Sequence, residues 1–248
     1  MQKHFFFDLD NTLTPSKSLI EPEHLPVFKA LSEQADVIVV SGHGENDIRK
    51  HLRPELDRSY HVLGQNGNRA VTKSGEILWN RSLSDQQKMA IRAFIAHARE
   101  ELKRSGIVTT VKDESDIVED RDSQIAFSLI GHHENKAIKD AFDSDFEKRR
   151  SVLEAAEANG EMKKLTEASV EARIGGTTNI DFFQLGKNKG YNVAAFIEKM
   201  GWKKDDCIYL GDALFPGGND ETVVGVIPTH AVRDYRETYE FLKKMLQS

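Results

Sequence analysis

A chain of 248 residues can bury one or two ordinary cores, at roughly 150 residues each, without disulfides or a structural metal. Its 39% hydrophobic and 30% charged residues are the balance of a globular protein. Its longest aliphatic stretches, such as Val37-Ile38-Val39-Val40, fall far short of the ~20 residues that cross a bilayer. A formal charge of -6 offers no bulk attraction to nucleic acid or an anionic membrane, so neither is expected as a partner and any phosphate site has to be local. The opening residues carry one lysine and three phenylalanines before Asp8, too few apolar residues for a secretory segment. The lone cysteine, Cys207, can form no internal disulfide, and a cytoplasmic setting is the expectation.

Short apolar runs alternate with helical patterns, as in parallel strands joined by helical crossovers. The first run is His4 to Leu9. A helix fits Glu21 to Gln34, with Leu25, Phe28, Ala30 and Leu31 on one face. A second strand, Asp36 to Val40, ends at Ser41-Gly42, and a third, Tyr60 to Leu63, leads into Gln65-Asn66-Gly67-Asn68. Ala70-Val71 and Ile77-Leu78-Trp79 flank Lys73-Ser74-Gly75 as a hairpin. From Ser82 the pattern changes to a long amphipathic helix, Asp85 to Arg104, then alternating segments at Ile107 to Val111, Gln124 to Ile130, Val170 to Ile174 and Ile180 to Phe183. Such an antiparallel sheet with helices reads as an inserted α+β domain. Its helical stretch, Asn135 to Ala158, includes Lys148-Arg149-Arg150, expected to be a solvated helix face. The α/β pattern resumes with a helix from Tyr191 to Met200, strands at Cys207 to Leu210 and around Val223 to Ile227, and a closing helix from Glu237 to Leu246.

Asp8-Leu9-Asp10-Asn11-Thr12 follows the first strand directly. In extended backbone, Asp8 and Asp10 leave the strand end in related directions, and paired carboxylates repel unless a cation or a reaction uses them. The carboxyl ends of parallel strands are where open α/β sheets bind ligands. Alone, the pentapeptide fits a strand-to-loop turn with helix-capping acids equally well. It is joined by Gly211-Asp212 and Asn219-Asp220 after another strand, by Ser41-Gly42, and by Lys189-Gly190 at a helix start. Carboxylates for a hard divalent cation, a hydroxyl and backbone amides for phosphate oxygens, and one lysine for the remaining charge are the parts of a phosphoryl-transfer site.

These residues resemble the four motifs of the haloacid dehalogenase superfamily, in family order: Asp8-x-Asp10-x-Thr12, Ser41, Lys189, and Gly211-Asp212 with Asn219-Asp220. The resemblance implies a Rossmann-like parallel-sheet core from residues 1–81 and 187–248, and a cap domain from 82–186 of the sheet-containing Cof type (subfamily IIB) that sets substrate specificity. Within that branch, Gly211-Asp212-Ala213-Leu214-Phe215-Pro216-Gly217-Gly218-Asn219-Asp220 is similar to the fourth motif of eukaryotic-type phosphomannomutases. The segments Arg121 to Gly131 and Ile174 to Phe183 are similar to family cap segments. Two positions depart from that pattern: His132 stands where the mutases have an arginine, and Ser41-Gly42-His43 where they tend to read Gly-Gly-Ser.

By that resemblance, Asp8 is the nucleophile and Asp10 the general acid and base. Ser41, Gly42 and Lys189 hold phosphate, and Lys187 is a neighbouring alternative to Lys189. Mg2+ sits on Asp8, the Asp10 carbonyl and Asp212, with Asn219 and Asp220 in support. Arg121, His132, Asn179 and Asp181 are the cap's substrate candidates. The expected function is Mg2+-dependent hydrolysis of a small phosphorylated metabolite, a sugar phosphate, with a sugar phosphomutase as the alternative. The sequence leaves a homodimer open.

Overall fold

Phe5, Phe6 and Phe7 are all buried on the strand β1 (His4–Phe7), and their continuous apolar run reflects a sheet covered on both faces. The computed structural model describes residues 2–107, 113–216 and 218–247. The chain separates into two units, Met1–Arg81 with Lys187–Ser248, and Ser82–Gly186. After β1 come α1 (Leu25–Gln34), β2 (Asp36–Val40), α2 (Glu45–Leu52), β3 (His61–Gly64), β4 (Arg69–Val71) and β5 (Ile77–Asn80). Helix α1 starts later than the expected Glu21, because Pro26 has no N–H to give the Pro22 carbonyl. Pro22–His24 form a separate 3-10 turn, and Pro26 takes the early position in α1 where no N–H is needed.

The second unit begins with α3 (Asp85–Arg104), capped by Ser84, whose Oγ accepts from the Gln87 N–H at 3.3 Å while Gln87 Oε1 accepts from the Ser84 N–H at 3.0 Å. It continues through β6 (Val118–Asp120), β7 (Gln124–Ser128), α4 (Lys136–Phe142), α5 (Glu147–Ala158), α6 (Glu161–Glu167), β8 (Val170–Gly175) and β9 (Asn179–Gln184). The strand expected over Ile107 to Val111 lies, beyond Ile107, outside the described residues. The four-stranded antiparallel sheet has the order β6-β7-β9-β8. Ile125, Phe127, Ile180 and Phe182 point from one face into a core with Ile91, Phe94, Val152 and Leu165 of the helices.

The basic run on α5 departs from expectation: Arg149 is 0% exposed. Its Nε donates to Asp143 Oδ2 at 2.5 Å, and its Nη1 to the Gly175 and Gly176 carbonyls at 2.9 and 2.8 Å. A guanidinium tolerates burial where its donors meet oxygens, and these lie in the break between α4 and α5 and in the β8–β9 turn. A helical pattern cannot reveal such distant acceptors.

The first unit resumes with α7 (Lys189–Met200), β10 (Cys207–Gly211), β11 (Thr229–Ala231) and α8 (Tyr235–Leu246). Its seven-stranded sheet has the order β11-β10-β1-β2-β3-β4-β5. Pairing is parallel from β11 through β3 and antiparallel for β3–β4 and β4–β5. Phe5, Phe7, Val37 and Val39 pack with α1, α2 and α8 on one face. Phe6, Ile38, Val40 and Cys207 pack with Val193, Phe196 and Ile197 of α7 on the other. The strand expected around Val223 to Ile227 does not form. Glu221–Val223 is a 3-10 turn and Gly225 has φ +83°, a left-handed conformation that breaks an extended run. Strand β11 starts after Pro228 instead.

Candidate active site

Strands β1 and β10 lie side by side in parallel register, so the residues that follow them leave the sheet at the same edge. Asp8 follows β1, its N–H bonded to the Leu210 carbonyl at 3.0 Å. Asp212 follows β10, and Asp220 returns after a loop. Lys189 comes from the first turn of α7, a helix capped by Asn188, whose side chain accepts from the Tyr191 N–H at 3.0 Å. Gly190 lets that turn approach the Thr222 carbonyl, which would lie 1.8 Å from a Cβ at this position.

Lys189 Nζ donates to Asp8 Oδ1 at 2.6 Å and to Asp220 Oδ1 at 2.7 Å, and all three residues are buried. Burial opposes the lysine's charge, but Asp220 and Asp8 hold it above the usual lysine range. Burial pushes the Asp8 carboxyl well up, Lys189 pulls it back, and the charges of Asp220 and Asp212 add to the rise. Burial and the Asp220 charge raise Asp212 to about 6. Asp212 is tied to the β1 loop: Asn11 Nδ2 donates to its Oδ2 at 3.3 Å, Thr12 Oγ1 to its Oδ1 at 3.5 Å, and its own N–H to Thr12 Oγ1 at 3.1 Å. Asn11, at φ +57°, takes the left-handed conformation that asparagine tolerates best after glycine.

The group can hold a divalent cation. Carboxylate oxygens of Asp8, Asp212 and Asp220 lie within 4.8 Å of one another, and Asp220 Oδ2 is buried with no hydrogen-bond partner. One ammonium among three carboxylates leaves excess negative charge that a hard, oxygen-seeking ion would neutralise. This set brings in Asp220 beside the expected Asp8 and Asp212. The Asp10 carboxylate is turned elsewhere, to Lys17 and His43.

Asp10 Oδ1 accepts from the Lys17 N–H at 2.5 Å and Asp10 Oδ2 meets His43 Nε2 at 2.8 Å. Burial would raise this carboxyl, but the His43 hydrogen bond and charge and the Lys17 N–H bring it down to about 2. Ser41, buried after β2, accepts from the His43 N–H at 3.2 Å, and Gly42 lies between them, half-buried. Asn219 is exposed, and the Lys189 ammonium is held by Asp8 and Asp220. The alternative lysine, Lys187, lies with its ammonium 3.6 Å from the centre of the Tyr191 ring. Gly217 lies outside the described residues.

Tyr209 is not singled out by the sequence, and His43 stands there only as the last residue of Ser41-Gly42-His43, with no role of its own. Tyr209 donates to Asp220 Oδ1 at 2.6 Å from inside β10. Its signal was a tyrosine within an otherwise apolar strand, whose buried hydroxyl needs a partner. For His43 the signal was a titratable residue at the carboxyl end of a parallel strand.

In the second unit, Arg121 Nη2 donates to Glu119 Oε2 at 2.6 Å, and His132 Nδ1 lies 3.7 Å from the same oxygen. The His132 ring is also bonded through Nε2 to the Ala126 carbonyl at 3.2 Å. Burial pushes its imidazole below the ordinary value against the pull of Glu119. Asn179 and Asp181 alternate with Ile180 and Phe182 on β9, so they occupy the sheet face opposite the helices. Asn179 Oδ1 is buried without a hydrogen-bond partner. Gly175 lacks the Cβ that would come within 2.2 Å of Asp181 Oδ2.

A mostly parallel sheet with carboxylates at the ends of two adjacent strands and a buried lysine between them defines an α/β enzyme with an acidic centre able to hold a cation. The chain belongs to the haloacid dehalogenase-like hydrolases, whose family model matches residues 5–220. Similar proteins include the phosphomannomutase of Schizosaccharomyces pombe, 25% identical over 96% of this chain and 92% of that one. The phosphomannomutase of Triticum aestivum is 27% identical over 98% and 94%. Among solved structures, the IMP-bound IMP-nucleotidase of Plasmodium falciparum superposes with a TM-score of 0.72 at 15% identity, covering 100% of this chain and 69% of that one. A haloacid dehalogenase-like hydrolase from Bacteroides thetaiotaomicron gives 0.64 at 13% identity over 99% and 100%. No helix among the described residues is long and apolar enough to cross a membrane.

Proposed function

We propose that this enzyme is a Mg2+-dependent phosphohydrolase of a small phosphorylated metabolite, a sugar phosphate, acting through an aspartyl phosphate on Asp8. The observation that carries the reading is the buried Lys189 bridge between Asp8 and Asp220, with Asp212 beside it. An Asp8 oxygen attacks phosphorus, the bond to the leaving oxygen breaks, and Asp10 protonates that oxygen. Asp10 then takes a proton from the water that attacks the aspartyl phosphate, releasing phosphate and restoring Asp8. His43 and the Lys17 N–H favour the ionised Asp10 that acts as base in the second step, and the proton it takes from that water is the one it delivers to the leaving oxygen of the next substrate. Lys189 and Ser41 hold phosphoryl oxygens, whose spread charge makes each such donor worth ~10²- to 10³-fold in rate. When bound by Asp8, Asp212, Asp220 and the Asp10 carbonyl, Mg2+ supplies Lewis-acid neutralisation of that charge.

The unit from Ser82 to Gly186 serves in this reading as the specificity cap, with Arg121, His132, Asn179 and Asp181 meeting the sugar. The pairing of Arg121 with Glu119 and the burial that lowers the His132 imidazole's pKa favour hydrolysis, because neither is a spare permanent cation for a second phosphate. The second reading, a sugar phosphomutase, is favoured by the phosphomannomutases among the relatives. A phosphate-release screen over sugar phosphates with Mg2+ tests the proposal. Release from at least one hexose phosphate is expected, and none from any member would overturn it.

A further inference from the structure

We propose that His43 is a positioning residue that holds the Asp10 carboxylate in place for its proton transfers, an inference that rests on the reading of the site given above. Asp10 sits in a loop, where a short side chain has rotamers to lose, and a displacement of about 1 Å in such a group can cost ~10²-fold in rate. Two donors restrain it, one on each oxygen: the Lys17 N–H on Oδ1 at 2.5 Å and His43 Nε2 on Oδ2 at 2.8 Å. The first is backbone and independent of side-chain identity, so His43 is the side chain that sets the orientation.

His43 is itself fastened. Its N–H donates to Ser41 Oγ at 3.2 Å, and its carbonyl accepts from the Gln65 N–H at 2.9 Å. Its ring stands edge-on to the ring of His51 on α2, with centroids 5.1 Å apart and planes at 82°. Gly64, at the end of β3, carries no Cβ, which would lie only 3.1 Å from the His43 carbonyl oxygen. Backbone bonds on both sides, a ring braced on a helix and a glycine at the close approach form a rigid mount, as precise placement of a reacting group requires. The mount also joins Asp10 to Ser41, the expected phosphate ligand, through one residue.

The test exploits leaving-group chemistry. A primary alkyl phosphate must have its leaving oxygen protonated as the P–O bond breaks, whereas p-nitrophenyl phosphate expels a phenolate that needs little proton donation. With Mg2+ present, kcat/KM for a hexose 6-phosphate and for p-nitrophenyl phosphate is measured for the wild type, His43→Ala, His43→Asn, His43→Gln and Asp10→Asn. Folding of each variant is checked by thermal unfolding. His43→Ala, or His43→Asn should the alanine variant not fold, is expected to lose about tenfold more on the alkyl ester than on the aryl ester. His43→Gln, whose amide nitrogen can reach Asp10, is expected to restore most of that difference, and His43→Ala is expected to add no further selective loss to Asp10→Asn. Equal losses on the two esters, or a further selective loss in the Asp10→Asn background, would overturn the proposal. Ester-selective loss in Asp10→Asn but not in the His43 variants would overturn it while leaving the phosphohydrolase reading intact. A wild type inactive on both esters would overturn both.

Discussion

Lys189 Nζ lies 2.6 Å from Asp8 Oδ1 across 181 positions of sequence, and the contact is closed to solvent. A lysine there neutralises part of a buried acidic centre and is also the cation expected to meet phosphate. Lys189→Ala is therefore expected to lower kcat/KM by ~10²- to 10³-fold. Leaving buried carboxylates unpaired should cost ~3–5 kcal/mol in the metal-free protein, read by urea unfolding. A variant as stable as the parent would contradict the buried-pair account. Asp8→Asn should retain the fold, lose turnover and yield no acid-stable phosphoenzyme.

Metal removal bears on the same cluster. EDTA is expected to abolish activity and Mg2+ to restore it, because Asp8, Asp212 and Asp220 otherwise repel one another and the substrate phosphate. Mg2+ at a hundred times its dissociation constant should stabilise the fold by about 2.7 kcal/mol, and Asp212→Asn should remove most of that gain. Calorimetric titration and thermal unfolding check both statements. Full turnover in metal-free buffer would count against the cation's role.

Arg149 and Arg150 are neighbours on α5 with opposite surroundings. Arg149→Ala leaves Asp143 buried without its partner and should destabilise the protein by ~3–5 kcal/mol. Arg150→Ala, at an exposed i,i+3 pair with Glu147, should stay within ~0.5 kcal/mol. Comparable denaturant midpoints for the two variants would be inconsistent with the observed burial.

Acid should weaken the fold through its buried histidines. His24 stacks on Tyr239 with centroids 3.9 Å apart, and burial lowers its pKa against the pull of Glu23 and Glu21. The imidazoles of His4, His51 and His132 are shifted in the same direction, also chiefly by burial. For a group with a depressed folded pKa, the unfolded chain binds the proton first. Stability is thus full above the ordinary histidine value of ~6.5 and is lost as pH falls through the lower folded value. Asp8 and Asp212, raised by burial, work in the opposite sense, so the histidine share is read by difference: between pH 7 and 5 the unfolding temperature of His24→Phe, which keeps the stacking, should follow a slope shifted from the parent's toward less loss in acid. An unchanged slope would show that His24 contributes nothing to it.

Much of this architecture was legible because local chemistry marks it. Asp36 to Val40 and Asp85 to Arg104 have the bounds expected from the sequence, one as an apolar run closed by Ser41-Gly42, the other because Ser84 and Gln87 form a capping box. The acidic cluster was legible because Asp8 and Asp212 follow strand ends, where α/β sheets expose their loops, and Asp220 closes the loop that begins at Asp212. What stayed hidden depends on distant partners. Arg149 looks solvated until the β8–β9 turn is brought to it, and His43 is a loop residue until Asp10 is placed opposite. The valine-rich run after Asp220 reads as a strand, yet the left-handed Gly225 turns it aside and Thr229–Ala231 pairs with β10 instead.

On the proposed function, hydrolysis rather than isomerisation depends on the unit from Ser82 to Gly186. Retaining a bisphosphate calls for a fixed, permanently charged fork, which arginine provides and a neutral histidine does not. His132→Arg should accordingly raise the isomer's share of product. The most direct measurement is to incubate the unmodified protein with mannose 1-phosphate, Mg2+ and a trace of glucose 1,6-bisphosphate, and to quantify mannose 6-phosphate against free phosphate. Free phosphate is expected to dominate; isomer exceeding free phosphate by about tenfold, the ratio set by 1.4 kcal/mol of barrier difference, would contradict the account.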